Sequence, residues 1–225
     1  MRTPEARWER IVSASQGTPA PAAATNRRAA AVLMGLSDDA DPAVLLIRRT
    51  ARLRSHPGQV AFPGGSLEAG EGPVQAALRE AREEVGLDPD TVRVRGILTD
   101  RATHASPYLV TPVLASLPAT RGAAGAWHTA LEPRDTGEVA SVHTPRISEL
   151  ADPGRRFTAT LQGRPTGPGF AVDGLIVWGF TGGLIDWLLR AGGWEVPWDR
   201  ARTRKVPAAF YRPAGAPSSG AGSQT

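Results

Sequence analysis

Short apolar runs and one long helical pattern alternate along the chain, and together they predict its secondary structure. Apolar runs of strand length cover residues 29–36 and 42–47, and a turn-like acidic segment separates them. Three further runs favour strands, at residues 92–98, 109–115 and 138–142. Because these strands are interspersed with two or three helices, we predict a layered domain of the α/β or α+β class.

The strongest helical pattern covers residues 70–86. Its apolar positions recur with the period of a helix and fall on one face; they are Val74, Ala77, Leu78, Ala81 and Val85. On another face, Glu80, Glu83 and Glu84 are spaced i, i+3, i+4, so their carboxylates are neighbours that repel one another. A hard divalent cation such as Mg²⁺ or Mn²⁺ would remove this repulsion. A solvated acidic face fits the same spacing, so the helix alone leaves both interpretations open.

The ends of the chain differ in composition from its middle. Thr3 and Pro4 predict the start of a helix, and residues 15–25, rich in Ala, Pro and Thr, predict a linker or an extended arm. A second helix is predicted at residues 184–191, before a Gly-Gly pair. We therefore divide the chain into an N-terminal helix and arm (1–28), a main domain (29–211) and a disordered tail (212–225).

Composition narrows the class of protein. With 225 residues and 41% apolar content, the chain fits one globular domain with an ordinary core. The absence of cysteine excludes a disulfide scaffold, a thiol nucleophile and cysteine-ligated metal sites. The net charge is +4, and no basic stripe points to nucleic acid. Since no secretory or membrane-spanning pattern is present, we expect a cytoplasmic protein with neither nucleic acid nor membrane as a partner.

A longer motif surrounds the acidic helix. Gly65 is followed after five residues by Glu71, and after seven more by the run REAREEVGL, which begins at Arg79. This spacing resembles the Nudix box, G-x5-E-x7-R-E-U-x-E-E-x-G-U, where U is a large aliphatic residue; Ala81 is smaller than usual at the first U. The resemblance implies an α/β/α sandwich around a mixed β-sheet. It also implies hydrolysis of a nucleoside diphosphate linked to another group, with Mg²⁺ or Mn²⁺ as the cofactor.

The same resemblance implies a role for each matching residue. The implied metal ligands are the carbonyl of Gly64 and the side chains of Glu80, Glu83 and Glu84. Glu80 would alternatively help to activate the attacking water. Arg79 would hold the catalytic carboxylates in place, with Glu71 as its ion-pair partner.

Nudix sites often take one more carboxylate from a later loop, as a ligand or a general base. Residues 138–150 resemble such a segment, so Glu138 is the first candidate and Asp135 the second. A surface glutamate in a turn after Pro133 would fit the sequence equally well.

Residues 45–65 extend the resemblance toward one subfamily. They resemble the coenzyme A pyrophosphatase signature, L-L-T-x-R-[SA]-x3-R-x3-G-x3-F-P-G-G, and depart from it at Ile47 and Thr50. This resemblance implies cleavage of coenzyme A or acyl-CoA to 3′,5′-ADP and 4′-phosphopantetheine or its acyl form. Guanidinium groups pair well with phosphate, so Arg49 and Arg54 are candidates for binding substrate phosphates. Phe62 is a candidate wall of the substrate site, although packing would explain this aromatic residue as well.

Two other functions stay open. One is a Nudix pyrophosphatase for another nucleoside diphosphate derivative, such as ADP-ribose, NADH or a dinucleoside polyphosphate. The other is a non-catalytic Nudix domain that binds a nucleotide; such domains typically lose box glutamates, all of which are present here. A homodimer is compatible with the family, but nothing in the composition demands one.

Overall fold

The computed structural model describes residues 4–16, 27–53, 55–103, 107–118, 131–207 and 210. Within these ranges the chain forms four α-helices: α1 (Pro4–Gln16), α2 (Pro73–Val85), α3 (Ile147–Ala151) and α4 (Gly179–Gly192). The same ranges contain twelve strands: β1 (Arg28–Ser37), β2 (Leu46–Arg49), β3 (Val60–Ala61), β4 (Gly64–Ser66), β5 (Arg93–Ile97), β6 (Arg101–Ala102), β7 (Tyr108–Leu117), β8 (Val139–His143), β9 (Arg156–Leu161), β10 (Arg164–Val172), β11 (Leu175–Val177) and β12 (Thr203–Lys205). None of the helices in these ranges is long and apolar enough to cross a membrane.

A mixed sheet lies at the centre of the fold. Its strand order is β4-β1-β7-β5, and β6 is a further partner of β7. β1 and β7 run parallel, whereas β4 and β5 are antiparallel to their neighbours. Two smaller sheets have the orders β3-β2-β8 and β11-β10-β9-β12. The predicted α/β architecture around a mixed sheet is confirmed.

Alternation along the central strands places apolar side chains on both faces of this sheet. Ala31 and Leu33 of β1 pack with the apolar side of α2 on one face. Met34 and Leu36 of the same strand join the core on the opposite face, where α1 and α4 contribute buried side chains. Because both faces are buried, the helices form the outer layers of a sandwich.

The N-terminal helix belongs to this packing. Trp8 and Ile11 of α1 are buried in the core that the helix shares with α4. The division of the chain into an N-terminal part, a main domain and a tail stays a prediction, since residues 17–26 and 211–225 lie outside the described ranges.

α1 is also longer than composition predicted, because it continues to Gln16, into the segment expected to be a linker. Ser15 is buried, and its hydroxyl oxygen accepts a hydrogen bond of 2.7 Å from the backbone N–H of Thr99. The Thr99 hydroxyl in turn donates to the Ser15 carbonyl at 2.7 Å. These tertiary hydrogen bonds hold the last helical turn in place.

Each predicted strand has an observed counterpart, although residues 42–47 are only partly a strand. Ala43 and Val44 form isolated bridges, and β2 begins at Leu46. Sequence analysis missed the sheet formed by β9 to β12. β10 contains two prolines and two glycines, and its register with β9 shifts between Pro165 and Gly167. Such a strand shows no clean alternation, so its pattern could not predict it.

Candidate functional site

Arg79 lies at the centre of a group of carboxylates on and beside α2. Its Nε and Nη2 donate to the two carboxylate oxygens of Glu71, at 2.9 and 3.1 Å. Its Nη1 donates to Glu80 at 3.0 Å and to Glu83 at 3.2 Å, and its Nη2 also donates to the Ser66 carbonyl at 3.1 Å. The hydrogen bond from Arg79 is the main cause that lowers the pKa of Glu71. The predicted ion pair between Arg79 and Glu71 is therefore present.

Glu84 carries the most deeply buried carboxylate of the group, with 5% of its side chain exposed. Its Oε2 accepts a hydrogen bond of 3.1 Å from the backbone N–H of Gly64, and its Oε1 lies 4.0 Å from Nη1 of Arg49. Burial raises the pKa of Glu84 to about 8, and these two partners offset only part of that effect. Burial likewise raises the pKa of Glu80, although its bond with Arg79 acts in the opposite direction.

Two glycines allow the β4 backbone to approach these carboxylates. A Cβ atom at Gly65 would overlap the carboxylate of Glu80. A Cβ atom at Gly64, which has φ 155°, would collide with the backbone carbonyl of Ala31 in β1. Only glycine permits both the positive φ and these close contacts, which explains why the loop before α2 has a Gly-Gly pair.

Glu138 reaches the same site from the turn before β8. Its Oε2 lies 3.2 Å from Nη2 of Arg49, the guanidinium that also approaches Glu84. Asp135 has a different role: its Oδ1 accepts the backbone N–H groups of Gly137 and Glu138, at 2.9 and 3.2 Å, and so stabilises the turn. The structure therefore places Glu138 next to Arg49, and it uses the Asp135 side chain within the turn.

The three residues predicted to bind substrate differ in their surroundings in the structure. Arg49 is 20% exposed and is bound to carboxylates. Phe62 follows β3 in the chain, is 3% exposed and packs in the core that α1 and α4 share, so its burial fits the packing interpretation. Arg54 lies outside the described residues.

Two contacts of the site could not be predicted from the sequence. One joins Arg49 to Glu138, and the other joins the N–H of Gly64 to Glu84. The pairing of β2 with β8 brings Arg49 to Glu138, although the two residues are 89 positions apart. No local periodicity reports such a contact. The N–H of Gly64 bonds a carboxylate 20 positions away, and the sequence contained no signal for that donor.

The donor set of the site fits a hard divalent cation. Its side-chain donors are carboxylate oxygens, which Mg²⁺ and Mn²⁺ prefer. The raised pKa of Glu84 shows that the protein alone compensates this buried charge incompletely, so a cation beside it would be favourable. Within the described ranges no three acidic or histidine side chains already converge as a cage. Instead Arg79 binds Glu80 and Glu83, and a cation would compete with these hydrogen bonds for the same oxygens.

Known proteins share this combination of motif and fold. The family model described as the NUDIX domain matches residues 25–162. An uncharacterized Nudix hydrolase, NudL, from Citrobacter koseri is 38% identical over 166 residues, which cover 71% of this chain and 80% of that protein. NudL from an Enterobacter species is 36% identical over 166 residues, with the same coverage of 71% and 80%.

Solved structures of Nudix proteins are also similar. The Nudix hydrolase RenU from M. smegmatis is 27% identical, covers 56% of this chain and 74% of its own, and has a TM-score of 0.44. A C. elegans Ap4A hydrolase binary complex is 20% identical, covers 53% of this chain and 80% of its own, and has a TM-score of 0.41. Since the family model spans more than half of the sequence and the NudL relatives align with most of it, the chain belongs to the Nudix family.

Proposed function

We propose that this Nudix protein hydrolyses the diphosphate bond of coenzyme A or acyl-CoA, releasing 3′,5′-ADP and 4′-phosphopantetheine or its acyl form. The position of Arg49 carries the proposal. The coenzyme A signature supplies this arginine, and its guanidinium lies between Glu84 of the box and Glu138. The signature and the box therefore meet in one site.

In the proposed reaction Glu80, Glu83 and Glu84, with the Gly64 carbonyl, would hold Mg²⁺ or Mn²⁺. When bound, such a cation neutralises phosphoryl oxygens and makes a bound water more acidic. Arg79 and Glu71 act as positioning residues, because their hydrogen bonds fix where the glutamates point.

Glu138 is the proposed general base. Its side chain is 49% exposed, so water reaches it, and it sits at the edge of the buried carboxylates. An acceptor at that edge would take a proton from the attacking water as water attacks phosphorus. Arg49 balances the negative charge of Glu84 and Glu138 and is positioned to exchange one of these carboxylates for a substrate phosphate.

The test is a product analysis. The protein is incubated with coenzyme A and Mg²⁺ or Mn²⁺, and the products are separated by chromatography beside parallel reactions with ADP-ribose, NADH and diadenosine polyphosphates. We expect 3′,5′-ADP from coenzyme A to form fastest, and Glu83→Gln to abolish it. Glu9→Gln, an exposed glutamate of α1, is the matched control that should keep full activity.

Two other outcomes would reject the proposal in different ways. If coenzyme A survives while another diphosphate is cleaved, the box chemistry holds and the substrate assignment is wrong. If a nucleotide binds and no substrate is cleaved with either metal, the protein is a non-catalytic nucleotide-binding member of the family.

A further inference from the structure

His56 is an exposed histidine that no part of the proposed chemistry uses, and its side chain is held in one orientation. It lies in the loop that joins β2 to β3, and its Nδ1 is 3.1 Å from Oε1 of Gln59. The Nε2 of Gln59 donates a hydrogen bond of 2.7 Å to the backbone carbonyl of Phe210. A chain of hydrogen bonds therefore runs from the C-terminal segment to the imidazole of His56.

This chain determines which nitrogen of His56 carries the hydrogen. A carbonyl oxygen only accepts, so Gln59 turns its NH2 group to Phe210 and its Oε1 to His56. Since Oε1 also only accepts, Nδ1 of His56 must be the donor. In the neutral imidazole Nε2 is then a hydrogen-bond acceptor. Among the residues that the structure describes, this Nε2 has no hydrogen-bond partner.

The loop backbone fixes the position of His56 as well. His56 has φ 55°, a left-handed conformation that is uncommon for a residue with a side chain. Pro57 and Gly58 are buried, whereas His56 is exposed. A Cβ atom at Gly58, which has φ 66°, would lie 3.1 Å from the ring of Phe210. An uncommon backbone conformation that presents an oriented polar side chain to solvent points to a functional role rather than to packing.

Backbone hydrogen bonds join this loop to the catalytic site. The N–H of Gly58 donates to the carbonyl of Thr50 at 3.2 Å, and the N–H of Thr50 donates to the carbonyl of Glu138 at 2.8 Å. Thr50 directly follows Arg49. Since His56 is two residues from Gly58, their Cα atoms are at most about 7 Å apart. His56 is therefore tied to the segments that carry Arg49 and Glu138.

The acceptor at Nε2 selects the chemistry of its ligand. Phosphate oxygens also accept, so this atom suits the organic groups joined to a diphosphate and not the diphosphate itself. In coenzyme A both halves carry donors: the ribose hydroxyl and adenine amino group on one side, and the hydroxyl and amide N–H groups of pantetheine on the other. We propose that Nε2 of His56 accepts a hydrogen bond from one of these substrate donors, with Gln59 as the positioning residue that fixes the imidazole. This inference rests on the proposed function.

The experiment separates the two nitrogens of His56 by substitution. Asparagine keeps an N–H at the place of Nδ1, tolerates a positive φ and has no atom at the place of Nε2, whereas glutamine reaches that place with an acceptor oxygen. With coenzyme A, His56→Asn should raise KM about 3- to 10-fold and leave kcat within about twofold of wild type. His56→Gln should restore most of the loss. Gln162→Asn, which puts asparagine at another exposed turn position with φ 51°, is the matched control.

Gln59→Leu tests the positioning role. Leucine removes both hydrogen bonds of the Gln59 side chain, so the imidazole is free to turn and to change tautomer. KM should rise about 2- to 5-fold, and the change should add nothing in a protein that already carries His56→Asn. Independent, additive losses would show that Gln59 only supports the loop. If His56→Asn does not fold, Gln59→Leu must still raise KM.

Calorimetry with 3′,5′-ADP and with 4′-phosphopantetheine identifies the half that carries the donor. His56→Asn should weaken the binding of one half about 3- to 10-fold and leave the Kd of the other within about twofold of wild type. Equal weakening of both halves, or of neither, would overturn the inference. A His56→Gln variant that loses as much as His56→Asn would overturn it too.

The two proposals fail separately. If wild type leaves coenzyme A intact, the proposed function is wrong, and calorimetry alone decides the role of His56; binding of neither half would then reject that role as well. If wild type cleaves coenzyme A and His56→Asn has an unchanged KM, the function stands and the role of His56 is rejected.

Discussion

The guanidinium of Arg79 binds both carboxylate oxygens of Glu71, with Nε donating over 2.9 Å and Nη2 over 3.1 Å. This two-point contact fixes the plane of the guanidinium, and its remaining N–H groups then point to Glu80 and Glu83. Glu71 thus orients carboxylates that it does not touch.

We therefore expect Glu71→Gln to reduce kcat about 10- to 100-fold and to raise the Mg²⁺ concentration needed for half-maximal activity, because outer residues of this kind orient ligands. The measurement is kcat as a function of Mg²⁺ concentration. Glu68→Gln is the control, since Glu68 is 72% exposed and lies 4.0 Å from Arg79. An unchanged metal dependence in Glu71→Gln would show that the pair only connects the loop to the helix.

Glu84→Gln should abolish activity and yet stabilise the metal-free protein. Burial raises the pKa of Glu84 from 4.5 to about 8, so its ionised form costs folding free energy at neutral pH. Glutamine has nearly the same shape and no charge to bury. Thermal unfolding in EDTA should give the variant a higher Tm, and each kcal/mol corresponds to about 2–4 °C for a chain of this size.

The sign of the pH dependence is a sharper test of the same residue. The folded-state pKa of Glu84 lies above its unfolded value, so the stability of wild type in EDTA falls as pH rises from 4.5 to about 8. The Tm advantage of Glu84→Gln over wild type should therefore be small at about pH 5 and larger at about pH 8. Glu83→Gln, which changes a carboxylate whose side chain is 57% exposed, is the comparison variant measured in parallel. A constant advantage across this range would contradict the buried-charge explanation.

Gly65→Ala and Gly64→Ala should separate activity from stability. A methyl group at Gly65 meets the flexible end of Glu80, so we expect a folded protein, with a Tm change of a few degrees or less, and a loss of activity as Glu80 is displaced. A methyl group at Gly64 meets the β1 backbone at a positive φ, so that variant should be destabilised outright. Calorimetry and activity measured on the same preparations check both. A fully active Gly65→Ala would argue against Glu80 as a functional group.

Glu138→Gln tests the proposed base. Removal of a general base costs about 10²- to 10⁴-fold in rate, so kcat should fall by that amount with little change in Tm. Glu132→Gln, also an exposed glutamate and 70% accessible, is the control. If kcat of Glu138→Gln changes by less than about twofold, Glu138 is not the base and is only a surface residue that pairs with Arg49.

Asp186→Asn should destabilise the protein without altering its chemistry. The Arg156 side chain is fully buried and forms an ion pair with Asp186, which also binds Arg190 at 2.7 Å. Removing the charge of Asp186 leaves a buried guanidinium whose one other carboxylate partner among the described residues is Glu195, at 4.0 Å, and this costs about 3–5 kcal/mol. Urea unfolding measures this loss in the free energy of unfolding. The kcat of the folded variant should equal that of wild type. Arg190→Gln removes a partner that is 47% exposed and should cost about 1 kcal/mol or less.

The sequence by itself determined the elements whose signal is local. The period of α2, its end at Gly86 and the apolar runs of β1 and β7 are visible without coordinates, because each depends on residues a few positions apart. The box spacing likewise predicted the contact of Arg79 with Glu71, which are eight positions apart. The family and its α/β sandwich followed from these features.

Tertiary structure decided what depends on distant pairing. Only the register of β2 with β8 brings Arg49 to Glu138. Burial could not be predicted from the sequence either. Glu83 and Glu84 are adjacent residues of the same type, yet in the fold the Glu83 side chain is 57% exposed and the Glu84 side chain is 5% exposed. The physical reason is that desolvation and long-range contact depend on how separate segments pack, which no local pattern records.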